Sequence, residues 1–162
     1  MSNPMIRVII VAGHPPTRQA FIDSLALEDD INVIGAFGDG KELLRQLVRL
    51  GPDVLLVDLD VPNQEPVSLV SSVRRALPST RVLIIAAANE PVLFRRLLDV
   101  GAAGIHLKTD GQQSAEMVRV VHRGSLYLSS EAARRMLGYV SPHHDRRAAR
   151  DEDEGETAPP SG

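Results

Sequence analysis

Pro52-Asp-Val-Leu-Leu-Val-Asp-Leu-Asp-Val-Pro62 is an apolar run bounded by prolines that stops abruptly at a carboxylate, Asp58. An uninterrupted run of this length reads as a strand buried on both faces, which requires a parallel sheet with helices packed on either side. In open α/β sheets, ligand and reaction sites lie just beyond the carboxyl ends of the strands. Asp58 therefore stands at the edge where chemistry is expected.

The same pattern recurs on both sides of that stretch. Ile6 to Val11, Ile31 to Phe37, Arg81 to Ala86 and Ile105 to Leu107 read as strands one, two, four and five, with Val54 to Asp58 as strand three. Between them, apolar residues return at helical spacing. Phe21 and Leu25 share a face after Pro16, and Glu28, Asp29 and Asp30 close that segment as a solvated loop. Leu43, Leu44, Leu47, Val48 and Leu50 form a stripe that ends at Gly51-Pro52, and Leu69, Val70, Val73 and Leu77 form another that ends at Pro78. Phe94, Leu97 and Leu98 precede the break Gly101-Ala-Ala-Gly104, and Ala115, Val118 and Val121 mark a fifth helix. Alternating strands and helices predict an α/β domain with a parallel sheet, because each crossover helix must lie on one face. Periodicity by itself leaves the strand order open.

Beyond Arg123, Leu126 to Leu128 is a brief extended piece, and Ser129-Ser130 can cap a short helix through Leu137. The chain thus divides into a domain over 5–124, an extension with a short helix over 125–140, and an acidic tail over 141–162. The tail lacks the apolar residues that offset ordering entropy and is expected to be disordered.

Composition narrows the function. A chain of 162 residues holds one full core. With 43% hydrophobic but only 3% aromatic residues, that core is built from Val, Leu, Ile and Ala. The absence of cysteine excludes disulfides, zinc-thiolate sites and thiol catalysis. No basic leader or membrane-length apolar run is present, so a cytoplasmic protein without membrane contact is expected. The net charge of −3 is unevenly placed: six of the 21 acids and three of the 18 basic residues follow Ser141, leaving 15 of each before it. A neutral body offers no basic face for duplex phosphates, which argues against direct nucleic-acid binding. Ala12-Gly13-His14-Pro15-Pro16 has neither a dinucleotide glycine fingerprint nor a phosphate-binding lysine. His14, His106, His122 and the pair His143-His144 are too scattered to make a zinc constellation.

Four segments carry a family resemblance over roughly Ile6 to Leu137: Ile6-Arg-Val-Ile-Ile-Val11 with His14-Pro15, the opening stretch with Pro62, Leu77-Pro-Ser-Thr-Arg-Val-Leu83, and Gly101-Ala-Ala-Gly-Ile-His-Leu-Lys108. With their order, they resemble the receiver domains of bacterial response regulators of the NarL/FixJ type. The resemblance implies a doubly wound five-stranded parallel sheet of order 2-1-3-4-5, the flavodoxin-like and CheY-like topology. It places Asp58 in the phosphoacceptor position and Lys108 in the position of the family's lysine.

The resemblance also exposes departures. Receivers hold Mg²⁺ with two acids at the end of strand one, and here these are Ala12 and Gly13. Ala86 replaces the hydroxyl that binds the phosphoryl group, Ile105 replaces the mobile aromatic of strand five, and Pro66 replaces a glycine after the acceptor loop. Phosphoryl transfer depends on positioning and charge neutralisation, so these losses fall on its essential parts. The expectation is a non-enzymatic pseudo-receiver with no cofactor beyond weak Mg²⁺ at Asp58 and Asp60. Asp58 is expected to pair with Lys108. Such a module acts in signal transduction and transcription regulation through a protein partner or homodimer, using the helix 4, strand 5, helix 5 face or helices 1 and 5, near Arg95, Arg96, Arg119 and Arg123. The alternative is a conventional two-component receiver still phosphorylated at Asp58 by a histidine kinase. A minor alternative is a small-molecule sensor using the space at Ala12, Gly13 and Ala86. With no DNA-binding half after Leu137, the chain reads as a stand-alone module or a truncated regulator.

Overall fold

The computed structural model describes residues 4–87, 90–111 and 113–138. Strands β1 (Ile6–Val11), β2 (Ile31–Phe37), β3 (Val54–Asp58), β4 (Arg81–Ala86) and β5 (Gly104–Leu107) alternate with helices α1 (Pro15–Ala26), α2 (Gly40–Leu50), α3 (Pro66–Ala76), α4 (Pro91–Asp99) and α5 (Ser114–His122). A 3₁₀ turn, Lys108–Asp110, follows β5. Three of these helices, α1, α3 and α4, begin with proline, whose missing N–H costs nothing in a first turn.

The sheet order is β2-β1-β3-β4-β5-β6 with every neighbouring pair parallel, so the expected order 2-1-3-4-5 holds and a sixth strand is added. That strand, β6 (Tyr127–Leu128), is the extended piece after Arg123, paired with Gly104 and Ile105 of β5. A two-residue strand carries no periodic pattern, so its pairing is invisible in sequence. Gly104 makes it possible: a Cβ there would sit 2.6 Å from the Tyr127 carbonyl oxygen and 2.9 Å from Leu83 Cδ1. The Tyr127 N–H donates to the Ala103 carbonyl at 3.0 Å, and the Leu107 N–H donates to Ser129 Oγ at 3.1 Å. A further helix, α6, follows over 130–138.

The apolar run of β3 resolves into two faces. Leu55 and Val57 join the cluster containing Leu43 and Leu47 of α2, Leu69 and Val73 of α3, and Phe94 and Leu97 of α4. Val54 and Leu56 join Phe21 and Leu25 of α1 with Met117, Val118 and Val121 of α5. A strand with both alternating sets fully buried must lie between two helical layers. Each fully buried aliphatic side chain contributes about 1.5–3 kcal/mol relative to exposure.

One loop differs from expectation. Glu28 and Asp30, expected to be simply solvated, both accept from Arg119 of α5, at 2.6 Å and 2.7 Å. Arg119 is thereby engaged within the fold. Among the described residues, no helix is long and apolar enough to cross a membrane. The tail 141–162 and the end of the extension, 139–140, lie outside the described residues.

Candidate functional site

The parallel register brings the carboxyl ends of β1, β3, β4 and β5 to one edge. Val11 lies opposite Val57, Asp58 opposite Ile85, and Ala86 opposite Leu107. Ala12, Asp58, Ala86 and Lys108 are therefore gathered by topology from positions far apart in the chain.

Asp58 is 3% exposed. One carboxylate oxygen, Oδ2, lies 2.6 Å from Lys108 Nζ, and the other, Oδ1, accepts the Asp60 N–H at 3.0 Å. A buried carboxylate needs such partners, because unpaired burial of its charge would cost several kcal/mol, on the order of the desolvation penalty per ion. The loop after Asp58 is also fixed at its far end. Asp39 caps α2 by accepting the Lys41 N–H at 2.7 Å, and its second oxygen accepts from Asn63, which has a left-handed φ of 64°. The Gly40 N–H donates to the Pro62 carbonyl at 3.1 Å. The Asn63 amide and the Lys41 N–H hold the Asp39 carboxyl below the usual carboxylate range.

The remaining positions have local roles of their own. Pro66 opens α3 behind Glu65, whose carboxylate accepts the Val67 and Ser68 N–H groups at 3.0 Å and 2.8 Å. Ile105 is fully buried in the same cluster as Phe94. Ala86 is 1% exposed and presents no hydroxyl. A Cβ on Gly13 would meet Pro62 Cδ at 2.8 Å, so the proline ring takes the room that a side chain at position 13 would need.

These residues do not fit a divalent cation of the Mg²⁺ class. Such an ion prefers several oxygen ligands with carboxylate charge. Ala12 and Gly13 supply none, both oxygens of Asp58 are engaged, and Asp60 is exposed. Among the described residues, no three His, Cys, Asp or Glu side chains converge to hold a metal. Arg18 adds a feature missed in the sequence reading. From α1, its Nη1 donates to the Ala12 carbonyl at 2.7 Å, fixing a positive charge at the end of β1. An arginine one turn into a helix carries no sequence signal that it will fold back over the preceding strand.

His14 and His106 serve structure. His14 Nδ1 pairs with the Thr17 hydroxyl at 2.8 Å. His106 is 2% exposed, and its Nε2–H donates to the Gly111 carbonyl at 2.6 Å while Nδ1 faces the Tyr127 hydroxyl at 3.3 Å. Since a carbonyl only accepts, that contact assigns the Nε2 proton. The expected interface arginines separate: Arg95, Arg96 and Arg123 are exposed, whereas Arg119 is held by Glu28 and Asp30.

Residues 8–119 match the family described as response regulator receiver domain. Among curated proteins, the probable transcriptional regulatory protein NarL of Mycobacterium tuberculosis is 35% identical over 124 residues, which are 75% of this chain and 56% of that protein. The response regulator GacA of Pseudomonas viridiflava is 31% identical over 133 residues, 82% of this chain and 62% of that protein. The chain thus spans less than two thirds of the length of these relatives. Among solved structures, the isolated REC domain of RcsB from Salmonella enterica serovar Typhimurium, in the presence of phosphomimetic BeF3-, matches with a TM-score of 0.75 and 27% identity, covering 83% of this chain and 99% of that one. RcsB has also been solved as two dimers bound to two parallel DNAs, with a TM-score of 0.72 and 26% identity, covering 83% of this chain and 68% of that one.

Proposed function

The chain belongs to the response regulator receiver domain family, and we propose that it serves as a pseudo-receiver, a two-component signalling module that acts through protein contacts without accepting a phosphoryl group. The observation that carries this reading is the donor set around Asp58. The carboxylate is neutralised internally by Lys108 at 2.6 Å, while Ala12 and Gly13 stand where metal-holding acids would be needed. Transfer to a carboxylate brings further negative charge to an already anionic group, and its barrier falls only where cations and donors are arranged to receive that charge. Ala86 provides no side-chain donor, and Arg18 Nη1 is turned to the Ala12 carbonyl.

With Asp58 held in one ion-paired state, the domain offers a constant surface. Val92, Arg95 and Arg96 are exposed on α4 at helical spacing, which favours α4 as the contact for a protein partner or second copy, beside a sheet edge formed by β6 because β5 lies buried between β4 and β6. The dimers of RcsB lend this reading support by analogy. In this reading the domain works in the cytoplasm, and residues 125–140 with the acidic segment after Ser141 are appendages to the receiver-like unit over 5–124.

A second reading is favoured by the retained pair itself: Asp58 and Lys108 stand as an acceptor and its lysine would, so a histidine kinase could still phosphorylate Asp58. Titration with Mg²⁺ and beryllofluoride, followed by amide NMR shifts of Asp58 and Ala86, separates the two. The pseudo-receiver gives no saturable response at millimolar metal, and a saturable one establishes the second reading.

A further inference from the structure

A cleft of about 350 Å³ opens between α1 and α5 on the side of the sheet opposite α3 and α4, lined by Pro16, Thr17, Ala20, Phe21, Ile85, His106, Lys108, Gly111 and Met117. We infer that it is a binding site for a small amphipathic anion, a monocarboxylate with a compact apolar body. The cleft shares Lys108 with the edge at Asp58 but is lined by none of Ala12, Gly13 and Ala86.

The walls define the apolar part. Phe21, Ile85 and Met117 belong to the buried cluster between the sheet and the α1 and α5 layer, so the floor of the cleft is the hydrophobic core itself. Ala20 and Gly111 are small, and a Cβ on Gly111 would have nothing within 4 Å, which leaves the mouth open. The volume lies at the lower end of the range typical of ligand sites, about 300–1,000 Å³, and such sites combine apolar walls with a few placed polar groups. A flexible thioether beside an aromatic ring adapts well to flat apolar guests.

The polar groups define the charge of the guest. His106 is already committed, with Nε2–H on the Gly111 carbonyl and Nδ1 facing Tyr127, and Thr17 is paired with His14. Lys108 is the cation in the lining, and its side chain is 35% exposed. An ammonium has three N–H donors, and Asp58 Oδ2 uses one. The lysine can therefore hold a second carboxylate without releasing the first. Asp58 at 5% side-chain exposure and a guest in the cleft would share one cation, so occupancy of the cleft is linked to the electrostatics of the acceptor edge.

The test uses 2-naphthoate as the probe, with 2-naphthamide as its neutral isostere, in amide and methyl NMR titrations of the whole chain. The expected result is saturable one-to-one binding of the acid, shifts at Ala20, Gly111 and Met117, and at least tenfold weaker binding of the amide. Ala20→Phe, which fills the cleft, abolishes the shifts while cooperative unfolding is retained. Should that variant fail to fold, contacts from the naphthyl protons to the Met117 methyl group locate the probe in the unaltered protein. Equal binding of acid and amide, shifts confined to other surfaces, or no saturation at millimolar probe would each overturn the inference.

Discussion

Lys108 Nζ lies 2.6 Å from Asp58 Oδ2, yet the two partners face solvent very differently, with side-chain exposures of 35% and 5%. The pair is therefore asymmetric. Removing the lysine strands a buried carboxylate, whereas removing the carboxylate charge leaves an ammonium that water can reach. Lys108→Met is expected to lower stability by about 1–2 kcal/mol, discounted from fully buried pairs for the lysine's exposure, while Asp58→Asn costs under about 1 kcal/mol. Urea unfolding of the two variants reads this directly, and equal losses would overturn the asymmetry.

Pro62 occupies the room of a side chain at position 13. Gly13→Asp by itself is predicted to destabilise the domain by about 1–3 kcal/mol through overpacking. Pro62→Ala should recover part of that loss, so a double-mutant cycle over the two positions gives coupling of about 1 kcal/mol or more. Additive effects would show that the loop shifts freely around the new side chain.

Gly104 is held between Tyr127 and Leu83. Gly104→Ala places a Cβ 2.6 Å from the Tyr127 carbonyl oxygen, so β6 must move away from β5. The expected cost is about 1–3 kcal/mol, with faster amide exchange at Tyr127 and Ser129 than at β1 or β3. Unchanged protection at Tyr127 would show that the strand is not anchored there.

The acid side of the stability profile follows from three carboxyls. Asp30 is held below the ordinary range chiefly by the hydrogen bond from Arg119, Asp39 by those from Asn63 and Lys41, and Glu65 by the Val67 and Ser68 N–H groups. In the unfolded chain these groups bind protons at higher pH than in the folded one. Their contribution is thus fully present above the ordinary carboxylate values near pH 4 and is lost as pH falls through the lowered folded values. Thermal unfolding from pH 2 to 6 should show melting temperature rising with pH and then levelling. In Arg119→Gln the rise should be shallower, because Asp30 then loses its main partner; an unchanged slope would remove Asp30 from the account.

Much of the architecture is legible in the sequence. A continuous apolar strand ending at Asp58, helical stripes closed by Gly51-Pro52 and Pro78, and prolines at helix starts are local signals, and local physics reads them without tertiary information. The alternation of the two element types then required helices on both sides of a parallel sheet. Residue types at Ala12, Gly13 and Ala86 likewise showed that these positions carry no carboxylate or hydroxyl, because chemistry absent from a side chain cannot be restored by folding.

Other features depended on what distant segments meet. The extended piece at Leu126 to Leu128 was legible, but its pairing with β5 was not, because it depends on Gly104 admitting the Tyr127 carbonyl. Arg119 is held by Glu28 and Asp30, 91 and 89 positions away in the chain. Arg18 folds back on the Ala12 carbonyl, and the cleft between α1 and α5 arises from small residues that only their three-dimensional neighbours make significant. Sequence alone determined the alternation of strands and helices, the strand end at which Asp58 stands and the residue types beside it. The pairing of charges and the shape of empty space were decided by tertiary structure, since both are relations between side chains that the backbone must first bring together.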